Sequence, residues 1–392
     1  MNDVVIVSAA RTAVGSFGGS LKGFTPTQLG VITAQAAIRR AGLEPEDVQQ
    51  SFYGNVIHTE PRDMYLARTI SVEAGVPNSA AALTVNRLCG SGLQAIVSGI
   101  QTLQLDDAGI VLAGGAESMS RAGYLVQAAR WGQKMGDTKA IDMMIAVLND
   151  PFGHGHMGIT AENIADRFDI TRETQDAFAV ESHRRASAAI EGGYFNDQIV
   201  PVLVKSRREM VDFKTDEHVR DDASQEGLAA LRSAFKKDGT VTAGNASGIN
   251  DGAASLILMS ADEAEKRGLE PLARVVSYGH AGVDPEVMGL GPIPAMKVAL
   301  GKAGLTVGDL DVVESNEAFA AQACAVTSEL DLDPAIVNPN GGAVAIGHPI
   351  GASGAIITTK LVYELKRRGA KTGAATMCIG GGQGIALIVE AL

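Results

Sequence analysis

Residues 82–98, ALTVNRLCGSGLQAIVS, place an apolar run, a cysteine and a glycine-rich turn in direct succession. The apolar run predicts a strand over 82–88, and the amphipathic stretch after it predicts a helix from about 91 to 105. The Gly-Ser-Gly sequence at 90–92 carries no bulky side chain, so the chain can turn sharply between the predicted strand and the predicted helix. This stretch therefore predicts a strand–turn–helix unit with Cys89 at the turn.

The same alternation of short apolar runs and Ala-rich amphipathic stretches continues on both sides of this unit. Strands that alternate with helices indicate βαβ units, and we expect a mainly parallel sheet. Predicted strands cover 4–7, 51–57, 82–88, 108–113, 273–278, 310–314, 374–378 and 385–389. Predicted helices cover 27–41, 65–74, 91–105, 161–168, 172–191, 294–303, 318–329 and 351–367. The strand over 108–113 is expected to end at the two glycines that follow it.

Matching landmarks recur at a nearly constant distance along the chain. The offset is 261 between Asn55 and Asn316, 259 between Cys89 and His348, and 266 between Gly115 and Gly381. Each landmark lies at or near the end of a predicted strand. A weak internal duplication of a βαβαβ half is the simplest interpretation.

The middle of the chain breaks this pattern, because it is richer in charge and in long helices. We expect an inserted α-rich loop domain over 119–248, between an N-terminal half (1–118 plus 249–270) and a C-terminal half (271–392). The insertion carries a basic stretch, which consists of Lys205, Arg207, Arg208, Lys214 and Arg220.

Composition and charge exclude several classes of protein. Only 4% of the 392 residues are aromatic and 46 are glycine, so the core must consist mainly of small aliphatic side chains. The formal net charge of −12 argues against a general binder of nucleic acid or of anionic membranes. Three cysteines without a CxxC spacing argue against a disulfide framework or a zinc site. No apolar stretch reaches about 18 residues, and the first one predicts a strand, not a signal peptide, so we expect a cytoplasmic protein.

Cys89 is the first candidate for chemistry. A cysteine at a helix N-terminus lies in the positive end of the helix dipole, which is expected to lower the pKa of the thiol. The glycines after it leave backbone N–H groups free nearby. These features favour a nucleophile, and the alternative is a small apolar cysteine that only fills space.

His348 lies in a second glycine-rich turn, which the duplication makes equivalent to that of Cys89. A histidine at this place is a natural base for a thiol contributed by the other half. Asn316 follows a predicted strand, where its amide could hold a water or a carbonyl oxygen beside His348. The alternatives are a loop histidine that only packs and an asparagine that only caps a helix.

Cys378 precedes the third glycine-rich segment, CIGGGQG at 378–384. Consecutive glycines let the backbone approach a ligand closely and turn N–H groups, such as that of Gly380, toward a developing oxyanion. The alternative is a structural hairpin.

The remaining sequence features do not indicate a metal site or a further catalytic motif. His154 and His156 lack a third ligand nearby, so we expect no metal site. No P-loop and no GxSxG motif is present. Cys324 lies in an Ala-rich helix and is expected to pack in the interior.

Four motifs together resemble the thiolase family: CGSG at 89–92, NEAF at 316–319, GHPIGASG at 347–354 and CIGGGQG at 378–384. The resemblance extends over essentially the whole chain and is strongest to the short-chain biosynthetic β-ketothiolases, the acetyl-CoA acetyltransferases of the polyhydroxyalkanoate type. It implies an α/β fold with duplicated βαβαβ halves in five αβαβα layers, plus the inserted loop domain.

The resemblance also implies a mechanism. Cys89, activated by His348, takes the acetyl group of acetyl-CoA, and Cys378 then removes the α-proton of a second acyl-CoA. A water held by Asn316, together with His348, forms one oxyanion hole. The backbone N–H groups of Cys89 and Gly380 form the other. Because both thiols meet in one pocket, a reversible Cys89–Cys378 disulfide under oxidation is a further expectation.

The family pattern further implies a binding site for coenzyme A thioesters, which are substrates, and no permanently bound cofactor. The positions that match it are Leu148, His156, Met157, Arg220, Ser247, Met288, Ala318 and Phe319. Arg220 is expected at the nucleotide end and Ser247 at the pantetheine, while Met157 and Met288 keep the acyl pocket short. Gly227 replaces a serine that is common in the family, so no hydrogen bond to CoA is assigned there.

The resemblance implies a homotetramer, a dimer of dimers, with acyl-CoA substrates and no nucleic-acid or membrane partner. A degradative 3-ketoacyl-CoA thiolase would share all four motifs. A decarboxylating condensing enzyme of the ketoacyl-synthase type would instead have a second histidine at the position that Asn316 occupies. The remaining alternative is an acyl-CoA-binding or redox-sensing protein without catalysis.

Overall fold

The computed structural model describes residues 3–206 and 208–392, so Arg207 of the basic stretch lies outside the described residues. The strands are β1 (Val4–Arg11), β2 (Gly15–Ser16), β3 (Gln50–Gly54), β4 (Ala81–Val85), β5 (Ile110–Ser118), β6 (Tyr124–Leu125), β7 (Ile141–Asp142), β8 (Val202–Ser206), β9 (Glu209–Phe213), β10 (Asn250–Ser260), β11 (Ala273–Gly282), β12 (Val312–Ser315), β13 (Thr372–Ile379) and β14 (Gln383–Ala391). The helices are α1 (Pro26–Arg40), α2 (Leu66–Glu73), α3 (Ser91–Gln104), α4 (Met143–Val147), α5 (Met157–Arg167), α6 (Arg172–Glu191), α7 (Gln225–Ala229), α8 (Ala261–Lys266), α9 (Pro292–Ala303), α10 (Ala320–Glu329), α11 (Ala343–Ile346) and α12 (Ser353–Arg368).

The main sheet consists of two halves with the same strand order. The N-terminal half runs β4-β3-β5-β10-β1, and the C-terminal half runs β12-β13-β14-β11. The halves join where β1 pairs with β11 over only two residue pairs, Val5 with Arg274 and Ile6 with Ala273. In the second half, a single parallel bridge from Val313 to Val337 occupies the place that β4 takes in the first.

The pairing directions repeat as well. β3 is parallel to β4 and β5, and β12 is parallel to β13. The other two strands of each half are antiparallel to their neighbours. These are β10 and β1 in the N-terminal half, and β14 and β11 in the C-terminal half. The expected mainly parallel sheet is therefore wrong. Direction reverses because β13 and β14 are joined by a tight glycine turn, and β5 and β10 by the long segment 119–249, so neither pair is joined by a parallel helical crossover.

The registers correct one of the landmark offsets. Gly54 lies opposite Gly115, and Ser315 lies opposite Thr376, so the equivalent of Gly115 is Thr376 at an offset of 261. The expected pairing with Gly381, at 266, is out of register by five residues. The duplication itself is present in the strand order.

β5 also continues beyond the glycines that were expected to end it. A Cβ on Gly114 would lie 2.2 Å from the carbonyl oxygen of Ala254, and one on Gly115 would lie 2.3 Å from that of Gly351. These two residues are therefore glycines because neighbouring backbone packs directly against the strand, not because the strand stops there.

Helices cover the sheet in three layers. α3 and α12 contact each other and both halves, and so lie between them, while α1 and α2 cover the N-terminal half and α9 the C-terminal half. The largest core cluster fills the central layer and is mainly aliphatic. This central packing brings the N-terminal ends of α3 and α12 together, which positions the candidate site.

Two features are absent from the described residues. No described helix is both long and apolar enough to span a membrane. No group of three or more potential metal-ligating side chains was found among the described residues, and this includes the surroundings of His154 and His156.

Candidate active site

A strained turn presents Cys89 between β4 and α3. Leu88 has a φ of +44°, a region that residues with a side chain rarely occupy. The hydroxyl of Ser91 stabilises this turn, because its Oγ donates to the Leu88 carbonyl at 2.6 Å and accepts from the Arg87 N–H at 2.8 Å. Strain of this kind persists only where the surroundings enforce it, and it is common at functional sites.

The Cys89 thiol is less acidic than the sequence suggested. Burial raises the pKa of Cys89 to about 11, and the nearby carboxyl of Glu117 adds to the rise. The backbone N–H groups of Gly380 and Cys89 lower the pKa, but by less than burial raises it. The expectation that the helix dipole leaves a low pKa is wrong, because the low dielectric of the site outweighs the dipole. Cys89 is therefore a neutral thiol near pH 7 and needs a base.

His348 is a suitable base in this environment. Burial lowers the pKa of its imidazole to about 4, so the ring is neutral near pH 7. Its Nδ1 lies 2.6 Å from Ser353 Oγ, and that hydroxyl donates to the Pro349 carbonyl at 3.0 Å. Because the hydroxyl has one proton, it accepts from Nδ1–H. The lone pair of the imidazole is then on Nε2.

Asn316 lies on the Nε2 side of this ring. Its Nδ2 is 3.5 Å from His348 Nε2, and its backbone N–H donates to the Thr376 carbonyl at 2.9 Å. The N-cap of α10 is Phe319, so the alternative of a pure capping role for Asn316 is excluded. Both ring nitrogens of His348 thus have a defined polar neighbour.

Cys378 lies fully buried near the end of β13. Burial and the neighbouring Cys89 both raise the pKa of Cys378 above its usual value. The turn into β14 needs glycine, since Gly381 and Gly382 have φ values of +82° and +87°. A Cβ on Gly382 would also lie 2.2 Å from the Val283 carbonyl oxygen. The glycine run is thus required by the hairpin, and the hairpin carries the Gly380 N–H to the Cys89 sulfur.

One small cavity of about 50 Å³ joins most of the residues named from the sequence. Its lining includes Cys89, Leu148, Met157, Ser247, Met288, Ala318, Phe319, His348 and Gly380. Leu88, Val147 and Ile350 also line it and were not identified from the sequence. The sequence also missed Ser353, although its place in the GHPIGASG motif, five residues after His348, was a usable signal.

Four named residues do not line this cavity: Cys378 and Asn316, which are described above, and His156 and Arg220. His156 caps α5 by accepting the Gly158 N–H at 3.1 Å, and its ring stacks on Phe235 with centroids 4.6 Å apart. Arg220 lines a separate cavity of about 160 Å³, together with His183 and Gly227. Lys205, Arg208 and Lys214 do not line it, so only Arg220 of the described part of the basic stretch does.

The largest cavity described, about 410 Å³, lies between α6 and α10 and contains neither Cys89 nor His348. Cys324 lines it and is only partly buried, so the expectation of an interior packing cysteine is not fully met. Burial raises the pKa of Cys324 to about 12, which makes it a poor nucleophile near pH 7.

Comparisons with known proteins agree with this geometry. Relatives include the beta-ketothiolase BktB of Cupriavidus necator, 61% identical over 99% of both chains, and an acetyl-CoA acetyltransferase of Paracoccus denitrificans, 52% identical over the full length of both. The crystal structure of the Bacillus anthracis acetyl-CoA acetyltransferase superposes with a TM-score of 0.98 at 49% identity, covering 100% of this chain and 99% of that one. Human mitochondrial 3-ketoacyl-CoA thiolase in complex with CoA superposes with a TM-score of 0.97 at 47% identity, covering 100% and 98%.

Family models account for nearly all of the sequence. The model described as "Thiolase, N-terminal domain" matches residues 4–262, and "Thiolase, C-terminal domain" matches residues 269–391. The expected fold class is confirmed by these matches and by the structural neighbours. The chain therefore belongs to the thiolase family.

Proposed function

We propose that the chain is an acetyl-CoA C-acetyltransferase, a β-ketothiolase that condenses acetyl-CoA with acetyl-CoA or a short acyl-CoA. The reaction is a reversible Claisen condensation through an acetyl-cysteine. The observation that carries this proposal is the single cavity in which Cys89, His348 and the backbone of Gly380 meet, with Cys378 packed against it.

Acetylation starts from a neutral thiol and a neutral imidazole. His348 Nε2 takes the Cys89 proton as the sulfur attacks the thioester carbonyl, and the imidazolium then returns that proton to the departing CoA thiolate. The Gly380 and Cys89 backbone N–H groups both lower the pKa of the Cys89 thiol, so they lie close enough to the sulfur to stabilise the oxyanion of the tetrahedral intermediate. One such donor is worth on the order of 10²–10³ in rate.

Cys378 then acts as the base for the second substrate. Burial and the neighbouring Cys89 hold its pKa high. In the acetyl-enzyme Cys89 is a thioester that cannot ionise, so no second thiolate competes beside Cys378 when Cys378 gives up its proton. The Cys378 proton passes to His348 Nε2, and the Nε2–H so formed, together with a water held by Asn316, donates to the enolate oxygen that appears when the α-proton is removed.

CoA binding is assigned to the two cavities beside the inserted segment. Ser247 lies at the apolar cavity, where the pantetheine thioester would reach Cys89, and Arg220 lies at the second one, where a phosphate group could pair with it. His156 shapes the pocket through its stacking on Phe235 and has no assigned contact with substrate. Gly227 has no side chain to offer to CoA.

A small cavity supports a preference for short acyl chains. Met157 and Met288 both line the 50 Å³ space around Cys89, which leaves little room beyond an acetyl group. The relatives named beta-ketothiolase and acetyl-CoA acetyltransferase favour this biosynthetic function over the degradative alternative.

We further propose a homotetramer, in which exposed apolar surface of the inserted loop domain over 119–248 is covered by other copies of the chain. Trp131 is 90% exposed and Met135 is 87% exposed, and Tyr124 is exposed beside them in the chain. Apolar surface of this kind commonly marks an interface. Three free cysteines support a cytoplasmic location, where thiols stay reduced.

The test is to trap the acyl-enzyme. Wild-type protein mixed with acetyl-CoA should gain one acetyl group at Cys89, as located by peptide mass spectrometry. The Cys378→Ala variant should still acetylate but should not form acetoacetyl-CoA. Absence of acetyl-enzyme in the wild type would overturn the function, and normal condensation by Cys378→Ala would overturn the assignment of the base.

A further inference from the structure

A buried carboxyl group behind the candidate site accepts hydrogen bonds from both halves of the chain. Glu117 is 0% exposed and lies near the end of β5. Its Oε1 accepts from Asn55 Nδ2 at 3.1 Å and from the Ile57 N–H at 3.2 Å. Its Oε2 accepts from the Val56 N–H at 3.1 Å and from the Gly351 N–H at 2.9 Å. One side chain thus joins the segment after β3 to the glycine-rich turn before α12.

The turn before α12 carries His348, three residues before Gly351. The His348 N–H donates to Asn250 Oδ1 at 2.8 Å. Asn250 is fully buried, and its Nδ2 donates to the Gly15 carbonyl at 3.0 Å. Two side chains of the N-terminal half, Asn250 and Glu117, therefore hold the backbone at both ends of the stretch from His348 to Gly351.

The segment after β3 contacts the turn of Cys89. The Asn55 N–H donates to the last carbonyl of β4 at 3.2 Å, just before that turn. Ile57 and Ile350 belong to one buried apolar cluster, and Cys89 packs against this cluster. The segment that Glu117 binds is therefore in contact with the turn of the proposed nucleophile.

The hydrogen bonds of Glu117 fit a carboxylate. All four partners are donors, and a carboxyl proton would face N–H groups with no lone pair to accept it. The Asn55 amide is held as a donor as well, because its Nδ2 also lies 3.0 Å from the Ala116 carbonyl. Burial raises the pKa of Glu117 to about 8, while the N–H groups of Ile57, Val56 and Gly351 oppose the rise. Above about pH 8 the side chain is therefore a buried anion that N–H dipoles stabilise.

The charge of Glu117 acts on the Cys89 sulfur. None of the ion pairs between described residues includes Glu117, so no described lysine or arginine neutralises it by direct contact. Burial is the main reason that the pKa of Cys89 is raised, and the Glu117 charge adds to the rise. A negative charge at this place favours the thiol over the thiolate, which is the form from which the proposed acetylation starts.

We propose that Glu117 is a positioning residue, whose carboxylate holds the His348 turn against the Cys89 turn and whose charge keeps the Cys89 sulfur protonated until the imidazole accepts the proton. Glu117 reaches the reacting atoms only through the backbone that it binds and through its charge. The inference rests on the proposed function and names a group that its mechanism did not use.

The first experiment measures the acetylation rate constant and the KM for acetyl-CoA in Glu117→Gln and Glu117→Asp. It is done at pH 9, which lies above the pKa of Glu117 and below that of Cys89. Glutamine turns an NH₂ group toward N–H donors, and aspartate keeps the charge but is one methylene too short to bind both segments. We expect each variant to lose roughly tenfold or more in rate with KM nearly unchanged, because small misplacements of reacting groups have effects of this size.

The matched control is Glu162→Gln. Glu162 is 1% exposed, and its carboxylate accepts the N–H groups of Thr240 and Val241 at 2.9 Å each. It is not among the groups that shift the pKa of Cys89. This variant should lose stability and acetylate at nearly the wild-type rate. Rate losses in the two Glu117 variants that are no larger than the loss in Glu162→Gln would refute the positioning role.

The second experiment separates charge from shape and requires no enzyme activity. Anionic iodoacetate and neutral iodoacetamide compete for Cys89 in one mixture at pH 9, and peptide mass spectrometry counts the two adducts. Loss of the negative charge in Glu117→Gln should raise the ratio of iodoacetate to iodoacetamide adducts roughly fivefold, the size of one charge–charge interaction near solvent. Glu117→Asp and Glu162→Gln should keep nearly the wild-type ratio. An unchanged ratio in Glu117→Gln would contradict the charge effect.

Should the Glu117 variants fail to fold, Asn55→Ala decides, because it removes one of the four donors and leaves the charge in place. This variant should acetylate more slowly than Glu162→Gln with the wild-type adduct ratio, and a wild-type acetylation rate would overturn the proposal. Failure of the proposed function is a separate result, namely that the wild type forms no acetyl-enzyme while the adduct ratio still responds to Glu117→Gln.

Discussion

Substitution of Ser353 by alanine tests whether a single hydroxyl fixes the proton of the His348 imidazole, the proposed catalytic base. The Ser353 Oγ lies 2.6 Å from Nδ1 of His348 and holds the proton there, which leaves Nε2 free to accept the Cys89 proton. Without this acceptor, a buried N–H has no partner in the productive tautomer. An unpaired buried donor costs about 1–3 kcal/mol, which corresponds to about a 5- to 150-fold slower acetylation.

Rapid-quench mixing with acetyl-CoA, followed by intact-protein mass spectrometry, measures that rate constant directly. The matched control is Ser8→Ala, because Ser8 is buried and its hydroxyl also makes a 2.6 Å hydrogen bond, to the Ala37 carbonyl, far from the site. Ser8→Ala should lose stability without a change in acetylation. An acetylation rate for Ser353→Ala within about twofold of the wild type, below the range expected for a lost buried hydrogen bond, would refute the assignment of the tautomer.

Three further predictions concern the thiol, the CoA site and the glycine hairpin. The pKa of Cys89 is raised to about 11, so its thiolate fraction grows with every unit of pH below that value. Alkylation of Cys89 by iodoacetamide should therefore accelerate steadily up to about pH 11, and a rate that levels off near neutral pH would contradict the raised pKa. Arg220→Ala should raise the KM for acetyl-CoA roughly tenfold, as expected for a lost charged hydrogen bond, and should change the KM for acetyl-pantetheine little. Equal effects on both substrates would contradict the placement of Arg220 at the nucleotide end of CoA. Gly384→Ala should lower the melting temperature sharply, because its Cβ would lie 1.9 Å from the Gly291 carbonyl oxygen. The control is Gly301→Ala on α9, whose Cβ would meet nothing within 4 Å. Equal melting temperatures for the two variants would contradict the close packing at Gly384.

Local sequence patterns predicted a helix or strand well where its bounds depend on residues close in the chain. The helix over 172–191 has the bounds of α6, and the helix predicted from about 91 to 105 corresponds to α3. Strand direction was not predictable in this way, because it depends on connections such as the β13–β14 hairpin. The strand β10 was not identified as an element, although its segment was assigned to the N-terminal half. The assignment of domain boundaries at 118, 248 and 270 stays a prediction.

Residue types predicted the members of the candidate site, but not their ionisation. Cys89 and His348 were identified from two glycine-rich turns, and the structure brings both to one cavity. The direction of the Cys89 pKa shift was wrong, because burial is a property of the assembled layers and is invisible in a local motif. Ser353 was missed although its place in the motif was a signal, because the motif alone does not show which nitrogen of His348 its hydroxyl contacts.

The repeated strand order has a consequence for how activity appears during folding. The proposed nucleophile, Cys89, comes from the first repeat and the proposed base, His348, from the second, about 260 positions later in the chain, and the two halves of the sheet share only two residue pairs. Contacts between such distant positions form late, because closing a long loop is entropically costly. Circular dichroism should therefore recover before acetyl transfer when the denatured protein is diluted into buffer, and enzyme activity becomes a reporter of the last docking step.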